Sequence, residues 1–255
     1  MPVAMRILAE RGAVVEVIHP SDRAIDLSTV RAECDLYVLK KTTHTALSLA
    51  GALFAQGARI VNPYPATVAL GDKIVTARIL EAAGVPVPAS YVVARPAGLV
   101  SLLEAGPLVV KPYRGSGGFG VQVVRNPADL AALRAGQDPI FAQRYHAPEG
   151  LDQKIYCIGG RLFGVEKVFP ATTQAEKHGR PFTPSPELCD IAVRCGRAFG
   201  IDLYGVDIIL SAGTPYVVDM CSIPGFKGVP NAPRHLAAYF FALAQAASPS
   251  LATIP

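Results

Sequence analysis

Residues 108–121 read LVVKPYRGSGGFGV, in which a glycine-rich segment follows an apolar run. An apolar run ends at Lys111, and four of the next nine residues are glycines: Gly115, Gly117, Gly118 and Gly120. The β-branched VQVV that follows predicts a strand, so the glycine loop joins two strands and does not open a helix as a dinucleotide-binding turn does. Because glycine lets backbone N–H groups approach phosphate oxygens, such a loop can form an anion-binding flap. On its own, the stretch fits this flap and an ordinary flexible hairpin about equally well.

The composition excludes several classes of protein. Of the 255 residues, 51% are hydrophobic and 17% are charged, and the formal net charge is +4. These values predict a folded globular protein with one large domain or several smaller ones. No basic run carries interleaved aromatic residues, so the sequence indicates no nucleic-acid partner. The mild positive excess favours a few cations that face an anionic small molecule.

Cysteine spacing and hydropathy predict a cytoplasmic protein. The five cysteines form no CxxC pair, which argues against structural zinc and favours reduced thiols. Arg6, Glu10 and Arg11 interrupt the apolar N-terminal segment, so no signal peptide is expected. The longest apolar run, LAAYFFALAQAA, is shorter than the roughly 20 residues that a bilayer requires, so no membrane segment is expected.

Helix and strand patterns alternate at the N-terminus. A helix over 3–11, strands over 13–20, 35–40 and 58–63, and a helix over 44–57 predict a parallel sheet covered by helices. Sheets of this kind usually begin with a strand. Either an initial strand is missing from this chain, or the sheet is small.

The rest of the chain has shorter elements. Residues 71–140 predict a small α+β unit with helices from about 72 to 84, over 97–106 and over 127–136. Strands follow from residue 141, and a polar segment over 170–186 is interpreted as a disordered loop. A helix over 186–200 then leads into a hairpin and a C-terminal helix.

The hairpin over 204–221 carries two acidic side chains. Its SAGT turn places Asp207 roughly opposite Val218 and Asp219, and Cys221 shares a strand face with Asp219. Aspartate is disfavoured in strands, and a bound divalent cation would offset the cost of a charge beside the core. Mg²⁺ prefers such hard oxygen ligands. The alternatives are two solvated aspartates, or an acid and base for glycoside cleavage, for which no aromatic sugar platform is present.

Six motifs in one order resemble those of the ATP-grasp superfamily, closest to the RimK-like carboxylate–amine ligases. The family patterns are a DK helix, a VxKPxxGSxGxGV flap, a QxY/F hinge, a D-x-R strand, a GVD strand and an E-V-N-x-x-P-G close. This chain has GDKIVTARIL, VVKPYRGSGGFGV, FAQRYH, LDQKIY, YGVDII and VVDMCSIPGF. The resemblance spans nearly the whole chain, and six ordered matches are far more specific than one.

The resemblance implies an α/β fold with an α+β lid, in which a nucleotide cleft lies between two α+β units. Three units are expected: a small Rossmann-like N-terminal domain over 1–70, a central lid subdomain over 71–140, and a C-terminal subdomain over 141–255 that carries the metal-binding hairpin. ATP and Mg²⁺ are the implied cofactors.

The resemblance also implies site residues. Two lysines, the flap backbone, the hinge and one aspartate would bind the nucleotide: Lys73, Lys111, Gly115, Ser116, Gly117, Gly118, Gln143, Arg144, Tyr145 and Asp152. The metal site would consist of Asp207, Asp219 and Cys221. Phosphoryl transfer needs positioning and charge neutralisation, which lysines, backbone amides and Mg²⁺ supply.

Three positions depart from the family pattern. Asp219 stands where the family has Glu, Cys221 where it has Asn, and Lys154 where it has the Arg of D-x-R. The shorter carboxylate of Asp219 is still a hard ligand, whereas a neutral thiol binds Mg²⁺ poorly. One coordination position would therefore fall to water or be lost. An arginine at this position would bind a carboxylate or phosphate through two parallel hydrogen bonds, whereas Lys154 offers only a point charge.

Three functions follow as hypotheses. The first is a carboxylate–amine ligase that acts through an acyl phosphate on an acidic small molecule or peptide, with Lys154 and Lys167 as catalytic residues; Arg194 or Arg197 are further candidates to hold the acid. The second is a small-molecule kinase similar to the inositol-phosphate kinases, although the dense basic pocket such a substrate calls for is missing. The third is a nucleotide-binding protein whose metal site has decayed at Cys221. Homo-oligomerisation is left open.

Overall fold

The computed structural model describes residues 1–20, 24–115, 118–133, 138–168 and 173–246. Its helices are α1 (Pro2–Glu10), α2 (His44–Phe54), α3 (Tyr64–Leu70), α4 (Lys73–Ala82), α5 (Pro127–Ala131), α6 (Gln174–His178), α7 (Pro186–Phe199) and α8 (Ala232–Gln245). Its strands are β1 (Tyr37–Val38), β2 (Ile60–Val61), β3 (Ser90–Val93), β4 (Leu108–Pro112), β5 (Gln122–Val124), β6 (Ile140–Arg144), β7 (Asp152–Ile158), β8 (Arg161–Lys167), β9 (Arg180–Phe182), β10 (Leu203–Ser211) and β11 (Thr214–Ser222). Two 3₁₀ helices cover Leu27–Thr29 and Pro96–Ala105.

The N-terminal sheet is smaller than the sequence predicts. Strands β1 and β2 pair in parallel, but the strand predicted over 13–20 is not formed. Val14 there is 91% exposed, and Val17 and Ile18 are also exposed. β-Branched residues favour a strand only where a neighbouring strand offers backbone partners and a surface to pack on. None pairs with this segment among the described residues, so the prediction was wrong.

The lid is a four-stranded antiparallel sheet in the order β3-β6-β4-β5. Its core includes Leu99 from the second 3₁₀ helix, Leu108 and Val124 from the sheet, and Leu130 from α5. The glycine loop joins β4 to β5 as an antiparallel hairpin, as the sequence predicts. The predicted helix over 97–106 is formed as the 3₁₀ helix, and α5 ends at Ala131; residues 134–136 of its predicted extent lie outside the described part.

The C-terminal sheet is five-stranded and antiparallel in the order β11-β10-β7-β8-β9. One face packs on α7, and this core includes Ile155, Ile191, Cys195 and Val206. Helix α7 is capped by Ser185 and stopped by a left-handed Gly200. Opposite this core, Leu203, Phe226 and Phe240 belong to a second cluster with α8. The limits of the three predicted units stay a prediction, although β6, which crosses residue 140, hydrogen-bonds within the lid sheet.

The segment over 170–186 is more regular than the predicted disordered loop. It contains α6 and β9, and β9 pairs with β8, so that prediction was wrong for these residues; residues 169–172 lie outside the described part. Thr173 and Glu176 form a reciprocal capping box at the start of α6. This T-x-x-E pattern is a sequence signal for the start of a helix, so the sequence does contain a local indication of α6. None of the helices formed by the described residues has the length and apolar character needed to cross a bilayer.

Candidate active site

The two aspartates predicted to bind metal face each other on neighbouring strands. Asp207 on β10 pairs in register with Asp219 on β11, and a bulge follows directly after them. On its other side Asp207 pairs with Lys154 on β7. Residues paired in register lie on the same face of a sheet, so two carboxylates and a lysine converge there.

Each of these carboxylates forms an ion pair with a lysine. The Lys154 ammonium lies 2.7 Å from Asp207 Oδ1, and the Lys73 ammonium lies 2.9 Å from Asp219 Oδ1. Both lysine side chains are only 15% exposed. Burial alone would lower the pKa of Lys154, but the Asp207 carboxylate more than offsets this and raises it. The site therefore holds two acidic groups whose charge is neutralised within the protein.

Lys111 connects the two sheets. Its ammonium donates to Gln143 Oε1 at 2.7 Å within the lid and to the Val218 carbonyl oxygen at 2.9 Å on β11. Burial lowers the pKa of Lys111 to about 8, and the nearby Asp219 carboxylate only partly opposes this. A buried ammonium that has only neutral acceptors can exchange them for a stronger anionic partner.

In the glycine flap, the backbone has positive φ angles, which residues other than glycine adopt only with strain. Gly118 and Gly120 both have φ of +74°, and a Cβ atom at Gly120 would lie 2.8 Å from Pro112 Cγ. Ser116 and Gly117, at the centre of the predicted phosphate contact, lie outside the described residues. Gly115, just before them, is described and also has positive φ.

Helix α4 places Lys73 beside the base of the flap. Asp72 caps the helix by accepting from the N–H groups of Ile74 and Val75. The Lys73 N–H donates to the Tyr113 carbonyl oxygen at 2.8 Å. Both residues of the DK pair therefore have a structural role. Asp72 caps the N-terminus of α4, and the Lys73 ammonium forms the ion pair with Asp219 on β11.

The predicted hinge is formed by the end of β6. The Arg144 guanidinium donates to the carbonyl oxygens of Leu102 and Gly106, so the side chain is directed at the 3₁₀ helix. A backbone role for residues 143–145 near adenine stays a prediction. Just beyond the hinge, His146 stacks on Tyr216 of β11 at 3.9 Å between ring centres.

A small cavity lies between the lid and the C-terminal sheet. Its walls include Lys73 of α4, Gln143 of β6 and Asp219 of β11, together with neighbouring apolar residues. The cavity therefore joins the predicted nucleotide site to the predicted metal site.

Two further site residues face each other across β7 and β8. Asp152 pairs in register with Lys167, yet the two groups form no ion pair. Burial, with the Asp207 charge, raises the pKa of Asp152 to about 6. Burial, with repulsion from Lys154, lowers the pKa of Lys167 to about 8. The Lys167 ammonium donates to the Tyr156 hydroxyl at 2.8 Å.

Cys221, the third predicted metal ligand, pairs in register with Gly205, two positions from Asp207, and its metal role stays a prediction. Its thiol lies 3.7 Å from the Gly205 carbonyl oxygen, and burial raises its pKa to about 11. Within the described ranges, no three His, Cys, Asp or Glu side chains could hold a metal ion together. The opposed carboxylates of Asp207 and Asp219 still fit Mg²⁺, which commonly takes one or two carboxylates and keeps several waters.

Sequence reasoning missed two residues, Lys40 and Asn62, that reach the end of β11 from the N-terminal part of the chain. Lys40 donates to the carbonyl oxygens of Ile223 and Pro224, directly after β11. The buried Asn62 amide donates to Ser222 Oγ at 2.8 Å. Neither residue lies in a motif, so only its position in the fold reveals the contact.

Comparison with solved structures identifies the fold. The chain is similar to the crystal structure of a RimK-domain ATP-grasp protein from Sphaerobacter thermophilus, with a TM-score of 0.78, 19% identity and 94% of each chain covered. It is also similar to the ATP-grasp ligase PsnB, solved with a minimal precursor, Mg and ADP, with a TM-score of 0.73, 19% identity and coverage of 95% of this chain and 93% of that one. The architecture is therefore that of the ATP-grasp fold.

The family follows from the sequence. Residues 70–237 match the model of the RimK-like ATP-grasp domain, so the chain belongs to the RimK-like ATP-grasp family. It is also 24% identical over 247 residues to the ribosomal protein bS6–L-glutamate ligase of Salmonella paratyphi B, covering 86% of this chain and 82% of the relative. The resemblance stated from the six motifs is confirmed.

Proposed function

We propose that the protein joins a carboxylate to an amine in an ATP-dependent reaction that proceeds through an acyl phosphate. Its class, an ATP-dependent ligase that forms a C–N bond, follows from the family and from the names of its relatives. The single structural observation that carries the proposal is the bond from Lys111 of the lid to Val218, next to Asp219, because it places the lid lysine over the carboxylate pair.

The chemistry is divided between two steps. In the first, an oxygen of the substrate carboxylate attacks the terminal phosphorus of ATP, and ADP leaves. In the second, the amine nitrogen attacks the acyl carbon, phosphate leaves, and the nitrogen loses a proton. Lys111 and Lys73 would hold the phosphate oxygens, and Lys154 would stabilise negative charge on the acyl phosphate beside Asp207.

The carboxylates of Asp207 and Asp219 would hold Mg²⁺, which when bound neutralises charge on the transferred phosphoryl group. In the structure the same carboxylates are paired with Lys154 and Lys73. Either ammonium group could donate to a phosphate oxygen in place of its carboxylate partner. The two ion pairs also reduce the electrostatic repulsion between the Asp207 and Asp219 carboxylates.

The substrates are proposed as an acidic small molecule or a peptide. The Salmonella relative is named as a ligase of L-glutamate and a ribosomal protein, and PsnB was solved with a precursor. These names support the proposal, as does the excess of lysine at this sheet face. The kinase and the nucleotide-binding protein are not favoured by the comparisons.

Product analysis with ATP and Mg²⁺ tests the proposed function. A ligase releases ADP and free phosphate only when an acid and an amine are both supplied. A kinase would release ADP while phosphate stays on one acceptor, and a protein with a decayed site would bind nucleotide without turnover. Either of the last two results would overturn the proposal.

Cys221→Asn is expected to strengthen the Mg²⁺ dependence of ATP turnover, because an amide oxygen is a harder ligand than the buried thiol. We expect the Mg²⁺ concentration for half-maximal turnover to fall by about 3- to 10-fold, a change worth roughly one hydrogen bond. Cys189→Asn, on α7 and away from the carboxylates, is the matched control. An unchanged Mg²⁺ titration would mean that position 221 does not face the ion.

ATP affinity is expected to fall as the pH rises above about 8, where Lys111 loses its proton. The charged form that binds phosphate prevails below that pKa, so affinity is full at about pH 7 and declines by up to about tenfold per pH unit above pH 8. Titration calorimetry between about pH 7 and 9.5 measures this. Lys111→Arg stays charged throughout and should show a flat profile. A flat profile in the unmodified protein would contradict the phosphate role of Lys111.

A further inference from the structure

Two cations of the site face, Lys111 and Lys167, have no anionic hydrogen-bond partner among the described residues. Lys73 and Lys154 each pair with an aspartate, and Lys111 bridges two neutral oxygens of the two sheets. In the described part of the chain, the Lys167 ammonium donates only to the Tyr156 hydroxyl, at 2.8 Å. An ammonium has three donors, so Lys167 retains hydrogen-bonding capacity for a ligand.

The surroundings of Lys167 are positive. Its ammonium lies 5.3 Å from the centre of the Tyr156 ring, and the Lys154 ammonium lies 5.7 Å from the same ring. Lys227, on the loop after β11, adds a third positive charge. Burial, with smaller contributions from the Lys154 and Lys227 charges, lowers the pKa of Lys167 to about 8. Asp152, its cross-strand neighbour, is not within ion-pair distance. Like charges held together in a half-buried place are stabilised by an anion.

The Tyr156 hydroxyl is a fixed part of this arrangement. Its residue is 2% exposed, and its ring packs against Phe226 with 5.4 Å between centres. Burial raises the pKa of Tyr156, so the hydroxyl keeps its proton. Because the oxygen accepts from Lys167, the hydroxyl fixes the position of the Lys167 ammonium.

The loop that carries Lys227 is packed tightly beside β8. A Cβ atom at Gly228 would collide with the His178 carbonyl oxygen and lie 2.7 Å from Val165 Cγ1. Gly228 also has φ of +83°. The loop therefore has little freedom, and it holds the exposed Lys227 on the Lys167 side of the sheet.

We propose that Lys167, Lys227 and the Tyr156 hydroxyl form a carboxylate-binding subsite, which holds a non-reacting carboxylate of one substrate. The inference rests on the proposed function in one respect, namely that the adjacent Lys154 and Asp207 mark the reacting centre. Lys167 lies two positions along β8 from Val165, the register partner of Lys154, which is a separation of about 7 Å. A substrate of about the length of glutamate spans it.

A binding experiment tests the subsite without turnover. Glutarate and glutaramate have the same length, but glutaramate lacks one charge. With ADP and Mg²⁺ present, calorimetry is expected to show glutarate binding at least about tenfold more tightly, as one charge-assisted contact provides. Lys167→Met should remove this preference, Lys227→Met should reduce it, and Lys167→Arg should keep it. Equal binding of the two acids by the unmodified protein, or no binding of either, would overturn the proposal.

Controls separate the subsite from folding and from general charge. Lys41→Met removes an exposed lysine of the N-terminal unit and should leave the preference unchanged. Lys167→Met must retain its melting temperature and ADP affinity. If it does not fold, Lys227→Met and Lys167→Gln decide the question, and a full glutarate preference in the folded variants would overturn the proposal.

Turnover identifies which substrate carries the carboxylate. In the acid arm, glutamate or glutamine is supplied with hydroxylamine, and hydroxamate is measured. In the amine arm, glutamate or glutamine is supplied with acetate, and ADP is measured. A preference for glutamate in one arm identifies the source. Turnover without preference in either arm would overturn the subsite and leave the ligase intact, whereas a glutarate preference without any turnover would support the subsite and overturn the ligase.

Discussion

Lys111→Met is expected to lower ATP affinity by at least about 100-fold, because two charge-assisted contacts to phosphate are worth about 3 kcal/mol together. Methionine keeps the length and apolar stem of lysine, so the packing of β4 should survive. The loss would come from the ammonium, which in the structure bridges Gln143 and Val218 and is the lid cation placed over the carboxylate pair. Calorimetric titration with ATP measures the effect.

The fold of Lys111→Met should remain intact. Losing the two bonds costs about 1–3 kcal/mol of unfolding free energy, since Gln143 Oε1 then lacks a buried donor. Denaturant unfolding checks this, and Lys41→Met is the matched control for loss of one positive charge. Near-unchanged ATP affinity in Lys111→Met would count against the flap as the phosphate site.

Asp207→Asn is expected to lower turnover by about 1000-fold or more, the scale on which loss of one preorganised electrostatic group acts. The substitution removes a hard metal ligand, and it also leaves the Lys154 ammonium without its carboxylate. Nucleotide binding without Mg²⁺ should persist, because the phosphate contacts of Lys111 and the flap are unaffected. ADP release measured over a Mg²⁺ titration checks both effects.

The control for this variant is Asp190→Asn. Asp190 forms an ion pair with Arg194 on α7, at 2.8 Å, so the variant also breaks a salt bridge and removes one negative charge. Its turnover should be unchanged, since exposed pairs of this kind contribute little. If Asp207→Asn retained turnover within about tenfold of the unmodified protein, the metal site would have to lie elsewhere.

The parts of the fold that sequence predicted were those with local signals. The glycine loop lies between two β-branched runs, and this pattern predicts the β4–β5 hairpin that the structure contains. Counting back from the SAGT turn places Asp207 opposite Val218 or Asp219, and a bulge after Asp207, which the sequence does not reveal, makes Asp219 its partner. The capping box that starts α6 was an equally local signal, although the segment was interpreted as a loop.

The parts that sequence could not predict depend on distant contacts. Residues 13–20 have strand-forming composition, but a strand also needs a neighbour, and the chain segment itself carries no information about that neighbour. Lys40 and Asn62 reach the end of β11 from the other end of the chain. The ion pairs of Lys73 and Lys154 with the two aspartates likewise connect separate elements. The motif comparison assigned Lys73 to the nucleotide and Lys154 to catalysis, and it predicted neither ion pair.

The bond from Lys111 to Val218 also bears on the kinetics of the cleft. The Lys111 ammonium connects the lid to the opposing sheet, and the same group would bind the phosphates of ATP. The nucleotide therefore competes with the hydrogen bond from Lys111 to Val218. ATP association should then be slower than free diffusion allows and should saturate with concentration, as expected when opening precedes binding. Stopped-flow measurements at increasing ATP concentration would show this limiting rate. Lys111→Met would remove the rate limit and would also lower the affinity for ATP.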